Sequence, residues 1–512
     1  MSIVTTISSK IEGIKAVKIL IETEVTPGIG IHLVGLADAA VKESLLRTVT
    51  ALQSNGFHIP GRKIVINLAP ADLHKKGTGY DLAIALSIIA ASGQASLPDL
   101  DKYLILGEIG LDGSIRPVTG TAPALVLAKE LKLKGCIIPR RNTQEAMLFS
   151  EGLDVYAVET LKEAIDITSG DTSSVKTIHE EIDDFEEPGA LNGKLSSWDL
   201  ICGNDAARCA IEIAAAGGHN VLLCGPAGSG KTSIANALAE LLPPMTVEEK
   251  KEVACIYSIK GNTPSFKPEN ERPFRAPHYT CTMSSLLGGS SGDDIVPGEV
   301  TLASKGVLFL DEFANYPKSL LECLRGTLED KKITITRLRS KVEYPTDFQL
   351  VVATPPCPCG RYGDGDKCTC TKNQRLSYLA RLSGPILDRI AMQVWTNVPR
   401  KEQIMGPRPE PIESVRERIK AARELQKKRY EGTAIRTNDE LSAKYMNTYC
   451  PLGEEQMQLI ESLIYRLGLS AKAFGNIIKI ARTIADLAGT DEIMPGHIAE
   501  AASYRFLDRR TE

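Results

Sequence analysis

Residues 221–242 read VLLCGPAGSGKTSIANALAELL. The run Val221–Cys224 is typical of a short buried strand, and 232–242 has the apolar spacing of a helix. Between them the chain fits the pattern G-x-x-x-x-G-K-[ST], in the strand-loop-helix context that this pattern requires. The stretch therefore predicts a phosphate-binding loop in an α/β domain. Its candidate nucleotide ligands are Gly225, Pro226, Ala227, Gly228, Ser229, Gly230, Lys231, Thr232 and Ser233.

The residue types in this loop suit a nucleotide. Glycines let backbone N–H groups turn toward phosphate at a helix N-terminus. Lys231 has the reach and charge for the β and γ phosphates, and the Thr232 hydroxyl is a candidate Mg²⁺ ligand. A chance glycine-rich turn is the alternative, and the flanking strand and helix disfavour it.

A second motif follows the apolar run 307–310, where the chain continues with Asp311 and Glu312. This run and another at 348–352 predict central strands of a parallel sheet covered on both faces. Asp311 at the end of such a strand is the candidate Mg²⁺ carboxylate, and Glu312 the candidate base for the attacking water. Alone, this acidic pair would suggest only a strand terminus; beside a phosphate-binding loop it predicts ATP hydrolysis.

Composition sets the outer limits. The chain has 512 residues, with 60 Lys and Arg against 64 Asp and Glu and a net charge of -4, which excludes wholesale disorder and a chain-wide basic coat. Neither a leader pattern nor a run of about 18 apolar residues is visible, so we expect a cytoplasmic protein without membrane contact. The 12 cysteines are interpreted as reduced thiols.

The composition predicts three domains. Residues 180–187 carry six acids in eight positions, within an acidic linker at 171–198. Before it, at 1–170, strand patterns at 64–68 and 103–106 alternate with helical patterns at 80–91 and 122–131. The α/β core should occupy 199–400. Helical patterns at 412–429, 454–467 and 471–487 predict a helical domain at 401–512.

Several longer motifs occur in one order along the chain. They are VGLADAAVKE at 34–43, NLAPADL at 67–73, IEIAAAGGH at 211–219, RPFRAPH at 272–278, GEVTLASKGVLFLDE at 298–312, SGPILDR at 383–389 and ARTIADL at 481–487. In these the chain resembles the YifB/ComM family of magnesium-chelatase-like AAA+ ATPases. The resemblance implies an AAA+ core with a C-terminal helical lid, and a homo-oligomeric ring, a hexamer, with ATP and Mg²⁺ between subunits. It also implies that Arg389 is the arginine finger, although a local ion pair of Arg389 with Asp388 or Asp311 is the alternative.

Two positions depart from the family pattern. Thr354, followed by Pro355, stands where family members usually carry the Asn that positions the attacking water, so either its hydroxyl substitutes or hydrolysis is slow. Lys472 stands in place of the usual Arg of the C-terminal sensor, with a point charge instead of a guanidinium fork. Lys472 is therefore a nucleotide-binding candidate, with Arg482 as a second choice.

The first domain resembles the α+β, ribosomal S5 domain 2-like fold of Lon-type proteases. Alignment of 75–81 and 107–113 with the Lon pattern puts Gly79 at the serine position and Ala122 at the lysine position. Neither side chain supports nucleophilic or base chemistry. We expect an inactive domain kept for interaction or assembly.

Two basic segments are candidates for nucleic-acid contact. Residues 331–344 alternate like a hairpin, and Arg337, Arg339 and Lys341 near its turn are candidate DNA contacts, by resemblance to a pore hairpin of related ring ATPases. An ordinary solvated hairpin is the alternative. The stretch 400–429 has ten basic and five acidic residues and is interpreted as a solvated helix face.

Four cysteines cluster at Cys357, Cys359, Cys368 and Cys370. Four thiolates can close a tetrahedral structural Zn²⁺ site, but the C-x-C spacing is tighter than in ordinary zinc ribbons. Reduced loop cysteines are the alternative.

Three functions compete at this stage. The family resemblance favours an ATP-driven motor that moves or remodels single-stranded or branched DNA during natural transformation or recombination. A magnesium-chelatase-like motor that remodels a protein or metallocofactor is the alternative. An ATP-dependent protease is disfavoured by Gly79 and Ala122.

Overall fold

The structure is a computed structural model, and it describes residues 3–36, 38–173, 175–179, 196–261, 271–291, 294–337, 340–382, 384–406 and 410–508. The chain divides into two compact units: 1–190, 246–269 and 336–344 form the first, and 191–245, 270–335 and 345–512 form the second. Most of the predicted acidic linker lies outside the described residues, and the predicted domain limits stay predictions.

The strands are β1 (Val4–Glu12), β2 (Lys15–Thr26), β3 (Ile31–Val34), β4 (Lys63–Ala69), β5 (Tyr103–Ile105), β6 (Glu108–Ile109), β7 (Ile115–Arg116), β8 (Gly135–Pro139), β9 (Asp154–Val158), β10 (Val221–Cys224), β11 (Phe274–Arg275), β12 (Gly288–Ser291), β13 (Asp294–Pro297), β14 (Val307–Leu310), β15 (Lys332–Arg337), β16 (Ser340–Pro345), β17 (Gln349–Thr354) and β18 (Met392–Trp395). The helices are α1 (Ala39–Ser54), α2 (Asp81–Ala91), α3 (Thr121–Glu130), α4 (Thr143–Ala146), α5 (Leu161–Ser169), α6 (Asp205–Gly217), α7 (Lys231–Leu241), α8 (Val247–Lys260), α9 (Met283–Leu287), α10 (Glu299–Leu302), α11 (Lys318–Asp330), α12 (Lys372–Leu379), α13 (Gly384–Leu387), α14 (Lys401–Ile404), α15 (Ile412–Arg429), α16 (Ala443–Tyr449), α17 (Glu454–Leu467), α18 (Ala471–Leu487) and α19 (Pro495–Ser503).

A mixed seven-stranded sheet in the order β3-β4-β2-β1-β5-β8-β9 forms the first unit. Its long strands β1, β2 and β4 are antiparallel, whereas β5, β8 and β9 run parallel. Helix α2 is buried from Asp81 to Ile89, because its sequence is apolar on every face. The expected α+β fold of this region is confirmed.

Helix α8 belongs to the first unit, although it follows α7 of the second unit in the chain. Its start is fixed by a capping box between Thr246 and Glu249. Ala254 and Cys255 join the apolar core around α3, and the Ala122 N–H donates a 3.2 Å hydrogen bond to Ser258 Oγ. The first unit is thus completed by a distant part of the sequence.

A parallel five-stranded sheet in the order β11-β14-β17-β10-β18 forms the centre of the second unit. Strands β10, β14 and β17 are buried along their whole length, as continuous apolar runs predict for a sheet covered on both faces. The predicted α/β core is confirmed.

The predicted helices at 412–429, 454–467 and 471–487 are α15, α17 and α18 of the second unit. A buried ion cluster joins α15 to α18, where Asp486 accepts hydrogen bonds from Arg429 and Arg482. The charges are tolerated there because every one has an opposite partner.

Strands β15 and β16 form a two-stranded sheet, which confirms the hairpin predicted at 331–344. A second small sheet, β12 with β13, was not predicted. Among the described helices, none has both the length and the apolarity that crossing a membrane requires.

Candidate active site

The loop 225–230, between β10 and α7, has the backbone of a phosphate cradle. A Cβ on Gly225 would lie 2.1 Å from Thr396 Oγ1, so only glycine fits there. Gly228 and Gly230 have φ values of +80° and +81°, in the left-handed region that favours glycine. Ser229 Oγ hydrogen bonds Thr396 Oγ1 at 2.8 Å, which ties the loop to the end of β18. This geometry suits nucleotide phosphates.

Lys231 Nζ donates to the carbonyl oxygens of Gly225 and Pro226, at 2.9 Å each. Burial lowers the pKa of Lys231, and the negative charge of Asp311 opposes that shift. The ammonium is therefore held at the cradle in the field of the candidate Mg²⁺ carboxylate. Thr232 is exposed in the first turn of α7, and Ser233 follows it.

Asp311 and Glu312 are exposed directly after β14. The Glu312 backbone is left-handed, with φ +51°, its N–H donates to Asp311 Oδ1 at 2.8 Å, and its Oε2 accepts from Asn315 Nδ2 at 2.9 Å. Strand β17 separates β14 from β10, and all three are parallel. Both motifs therefore lie at the edge where these strands end, which we call the carboxyl edge. Their side chains can hold Mg²⁺ and a nucleotide phosphate together.

The Thr354 side chain is buried at the end of β17, between the two motifs. Its hydroxyl donates to Pro355 O at 3.2 Å, and the Tyr378 side chain lies beside it. Burial raises the pKa of Tyr378, and the charge of Glu312 raises it further, so its phenol stays protonated. No motif marked Tyr378, and only its position in the fold reveals it.

Arg389 lies at the opposite edge of the same sheet, where the strands begin and which we call the amino edge. Asn220, the residue before β10, donates from Nδ2 to Arg389 O at 3.1 Å. The P-loop follows the four residues of β10, about 13 Å away at ~3.3 Å per strand residue. The Arg389 side chain pairs with Glu329 of α11. The ion pair that the structure describes is therefore with Glu329, an acid that the sequence did not suggest.

Lys472 lies beside Arg389, because its Nζ is 3.6 Å from the same Glu329 carboxylate. Burial and the neighbouring Arg389 charge lower the pKa of Lys472, while burial and Arg325 lower the pKa of Arg389. Arg325, Arg389 and Lys472 therefore lie close together beside the acids Glu329 and Asp388, and this excess of cations suits an anionic ligand. Lys472 can contact a nucleotide, as expected, only where that nucleotide approaches the amino edge.

Arg482, the second choice for the sensor, is wrong for that role. It is buried, and its guanidinium pairs with Asp486 and donates to the carbonyl oxygens of Thr490 and Asp491. It therefore stabilises the helical region from inside.

The four clustered cysteines come together in the loop between β17 and α12. Their sulfurs all lie within 4.8 Å of one another, and three of the distances are 3.4, 3.7 and 3.8 Å. Four sulfurs at ~2.3 Å from one Zn²⁺ would be about 3.8 Å apart, so the set fits that ion. The backbone N–H of Arg361 hydrogen bonds the Cys359 sulfur and lowers the pKa of Cys359 to about 6. The structure describes all twelve cysteines without a disulfide.

The remaining candidates are the two basic segments, and the structure describes most of their residues. Arg337 ends β15, Lys341 is exposed in β16, and Arg339 lies outside the described residues. In the stretch 400–429, Arg418 pairs with Glu212 and Glu410, and Arg416, Arg423 and Arg429 also bond within the second unit. These arginines of α15 are therefore structural rather than only solvated.

Family models match along the chain: "Magnesium chelatase, subunit ChlI" at 197–404, "Subunit ChlI of Mg-chelatase" at 21–142 and "Magnesium chelatase, subunit ChlI C-terminal" at 409–505. Competence protein ComM of Haemophilus influenzae is 37% identical over 515 residues, which cover 99% of this chain and 98% of that protein. The chain belongs to the ComM/YifB family.

YifB of Salmonella typhimurium is 36% identical over 503 residues, with 97% of this chain and 96% of YifB covered. Lon protease 2 of Bacillus subtilis is 30% identical over 142 residues, which are 28% of this chain and 25% of the protease. Members of the ComM/YifB family are magnesium-chelatase-like AAA+ proteins, so this chain is an ATPase of that type and uses ATP and Mg²⁺.

Proposed function

We propose that this ATPase is a hexameric motor that remodels single-stranded or branched DNA, a branch-migration helicase of the ComM type. One observation carries the motor: the two halves of an ATPase site lie at opposite edges of one sheet. A head-to-tail ring brings the amino edge of one subunit to the carboxyl edge of the next. Competence, in the name of the Haemophilus relative, supports DNA as the client.

At the carboxyl edge, Lys231 and the backbone N–H groups of the loop 225–230 bind the phosphates. Thr232 and Asp311 would hold Mg²⁺, which neutralises phosphate charge when bound. Glu312 takes a proton from the attacking water, and Asn315 orients the Glu312 carboxylate through its 2.9 Å hydrogen bond. Thr354 stands where the family pattern places an amide, and the neighbouring Tyr378 positions that water.

At the amino edge, Arg389 and Lys472 act on the nucleotide of the neighbouring subunit. Arg325, Arg389 and Lys472 outnumber the nearby acids Glu329 and Asp388, so the cluster keeps an excess of positive charge for a neighbour's phosphates. Arg389 then stabilises the charge that develops on the transferred phosphoryl group. This arrangement makes hydrolysis depend on assembly.

The hairpin of β15 and β16 supplies the DNA contact, through Arg337, Arg339 and Lys341. Basic side chains on a hairpin follow a phosphate backbone without sequence preference and with strong salt dependence. The Lon-like first unit serves assembly or interaction. Peptidase activity is absent because Gly79 and Ala122 lack a nucleophile and a base.

The test is steady-state ATP hydrolysis by the full chain with no DNA, single-stranded DNA, duplex DNA and a four-way junction, with Lys231→Ala as the blank. The double variant Arg337→Ala, Lys341→Ala should lose DNA stimulation and keep the basal rate. Its matched control is Lys427→Ala, Lys428→Ala, which removes two exposed lysines from α15. Turnover indifferent to every DNA would overturn the DNA role and favour a chelatase-like protein or metallocofactor client.

A further inference from the structure

The loop that carries the four cysteines is hydrogen bonded to the phosphate-binding loop. The Ala227 N–H, in the middle of the cradle, donates to Gly360 O at 2.9 Å. The Gly225 N–H donates to Thr354 O at 3.3 Å, at the point where β17 gives way to the cysteine loop. The conformation of the cradle therefore depends on where the Gly360 carbonyl is held.

The Gly360 carbonyl is positioned by the cysteines. Gly360 directly follows Cys359, its N–H donates to Cys357 O at 2.9 Å, and its φ is +71°. This is a tight turn in which residues 357 and 359 are two of the four sulfur donors. A ligand that fixes the positions of the sulfurs therefore also fixes the Gly360 carbonyl, which accepts the hydrogen bond from Ala227.

Aromatic contacts hold the far side of the cysteine loop. The Arg375 guanidinium lies 4.1 Å from the centroid of the Tyr362 ring, which meets the Trp395 ring edge to face at 6.1 Å. Between Cys357 and Cys370 the regular structure is a single 3-10 turn at Gly365–Lys367. Ordering so irregular a loop costs conformational entropy, and four metal–sulfur bonds can offset it.

We propose that a zinc ion bound by Cys357, Cys359, Cys368 and Cys370 holds the phosphate-binding loop in its ATP-binding form through the Gly360–Ala227 hydrogen bond. The bound zinc ion thus sets the affinity for ATP, although it does not itself contact the nucleotide. The inference rests on the nucleotide site of the proposed function and is independent of the DNA role.

The test uses the full-length protein, purified under reducing conditions. Zinc is measured by atomic emission, and the dissociation constant for ATP by calorimetry in excess Mg²⁺. We expect one zinc per chain, and a loss of zinc together with at least a tenfold weaker affinity for ATP in Cys359→Ser. The control Cys323→Ser removes an exposed cysteine outside the cluster and should change neither value.

Because Cys359→Ser could unfold the second unit, the wild-type chain is also stripped of zinc with a thiol-compatible chelator and then reloaded. Circular dichroism monitors the fold, and reloading with zinc should restore the ATP affinity. Unchanged affinity in the folded, stripped protein would overturn the coupling, and a reduced protein that takes up no zinc would overturn the metal site. Lys231→Ala, which should keep zinc and lose ATP, separates a failed nucleotide site from both.

Discussion

The carboxyl edge and the amino edge of the five-stranded sheet carry opposite kinds of chemistry. The carboxyl edge presents a glycine cradle, one lysine, two exposed acids and a protonated tyrosine, arranged around one space. The amino edge presents a crowded cationic cluster, Arg325, Arg389 and Lys472, beside the carboxylates of Glu329 and Asp388. The first can bind a phosphate by itself, whereas the second can only stabilise charge brought to it. Under the proposed function, the difference means that binding and hydrolysis are separable within one chain.

Among the variants that test the contrast between the two edges, Arg389→Ala should have the largest effect. We expect hydrolysis to fall by about 10³-fold, as the loss of an arginine finger does, while ATP affinity at the carboxyl edge stays within about threefold. Turnover and nucleotide binding are measured on the same preparation, with Arg466→Ala, an exposed arginine of α17, as the control. A loss of ATP binding would show that Arg389 supports its own subunit's site.

The next largest effect belongs to Glu312→Gln, which should slow hydrolysis by about 10²-fold and leave ATP bound. Mixing it with Arg389→Ala sharpens the test, because about a quarter of the interfaces in a mixed ring pair an intact Glu312 with an intact Arg389. We expect recovery of turnover in the mixture and in neither variant alone. No recovery would contradict action across subunits; Glu322→Gln, an exposed acid on α11, is the control.

A smaller effect is expected from Tyr378→Phe, which removes the phenol hydroxyl beside Thr354. The rate constant for hydrolysis should fall by about tenfold with ATP affinity unchanged, since a single positioning hydrogen bond is lost. Tyr465→Phe, at a fully exposed ring, serves as the control. An unchanged rate would leave Thr354 and Tyr378 as packing residues only.

The smallest expected effect is an increase in turnover. Lys472→Arg should raise the turnover by about two- to threefold, because a guanidinium fork holds a phosphate in two hydrogen bonds where an ammonium is a point charge. The control is Lys420→Arg on an exposed face of α15. A decrease would mean that the space beside Glu329 is fitted to lysine.

Prediction from sequence succeeds where local pattern and chemistry coincide. The P-loop, Asp311 and the helices at 412–429, 454–467 and 471–487 are each encoded in a continuous stretch, so periodicity and spacing are enough. Strand β12 escapes prediction because its sequence, GGSS, is typical of loops, and β13 because its four residues, DIVP, are few and end in proline.

The rest of the site depends on contacts between distant segments. Tyr378 and Thr354 are neighbours in the fold, and Lys472 meets Glu329 across 143 positions of the chain. The hydrogen bond between Ala227 and Gly360 joins backbone atoms, which carry no residue-type signal. Patterns along the chain cannot show such pairs.

The placement of α8 has a consequence for biosynthesis. A ribosome that has released residues 1–190 has not yet made the helix that covers Ala122, Ala124 and Leu125, since the Ala122–Ser258 hydrogen bond spans 136 positions. The nascent first unit must wait, with that apolar surface open, until β10 and the P-loop have been translated, and contacts so distant in sequence form slowly. An expression plasmid that stops after residue 190 would therefore yield an incomplete unit prone to aggregation, and one that also encodes 246–269 would supply the missing helix.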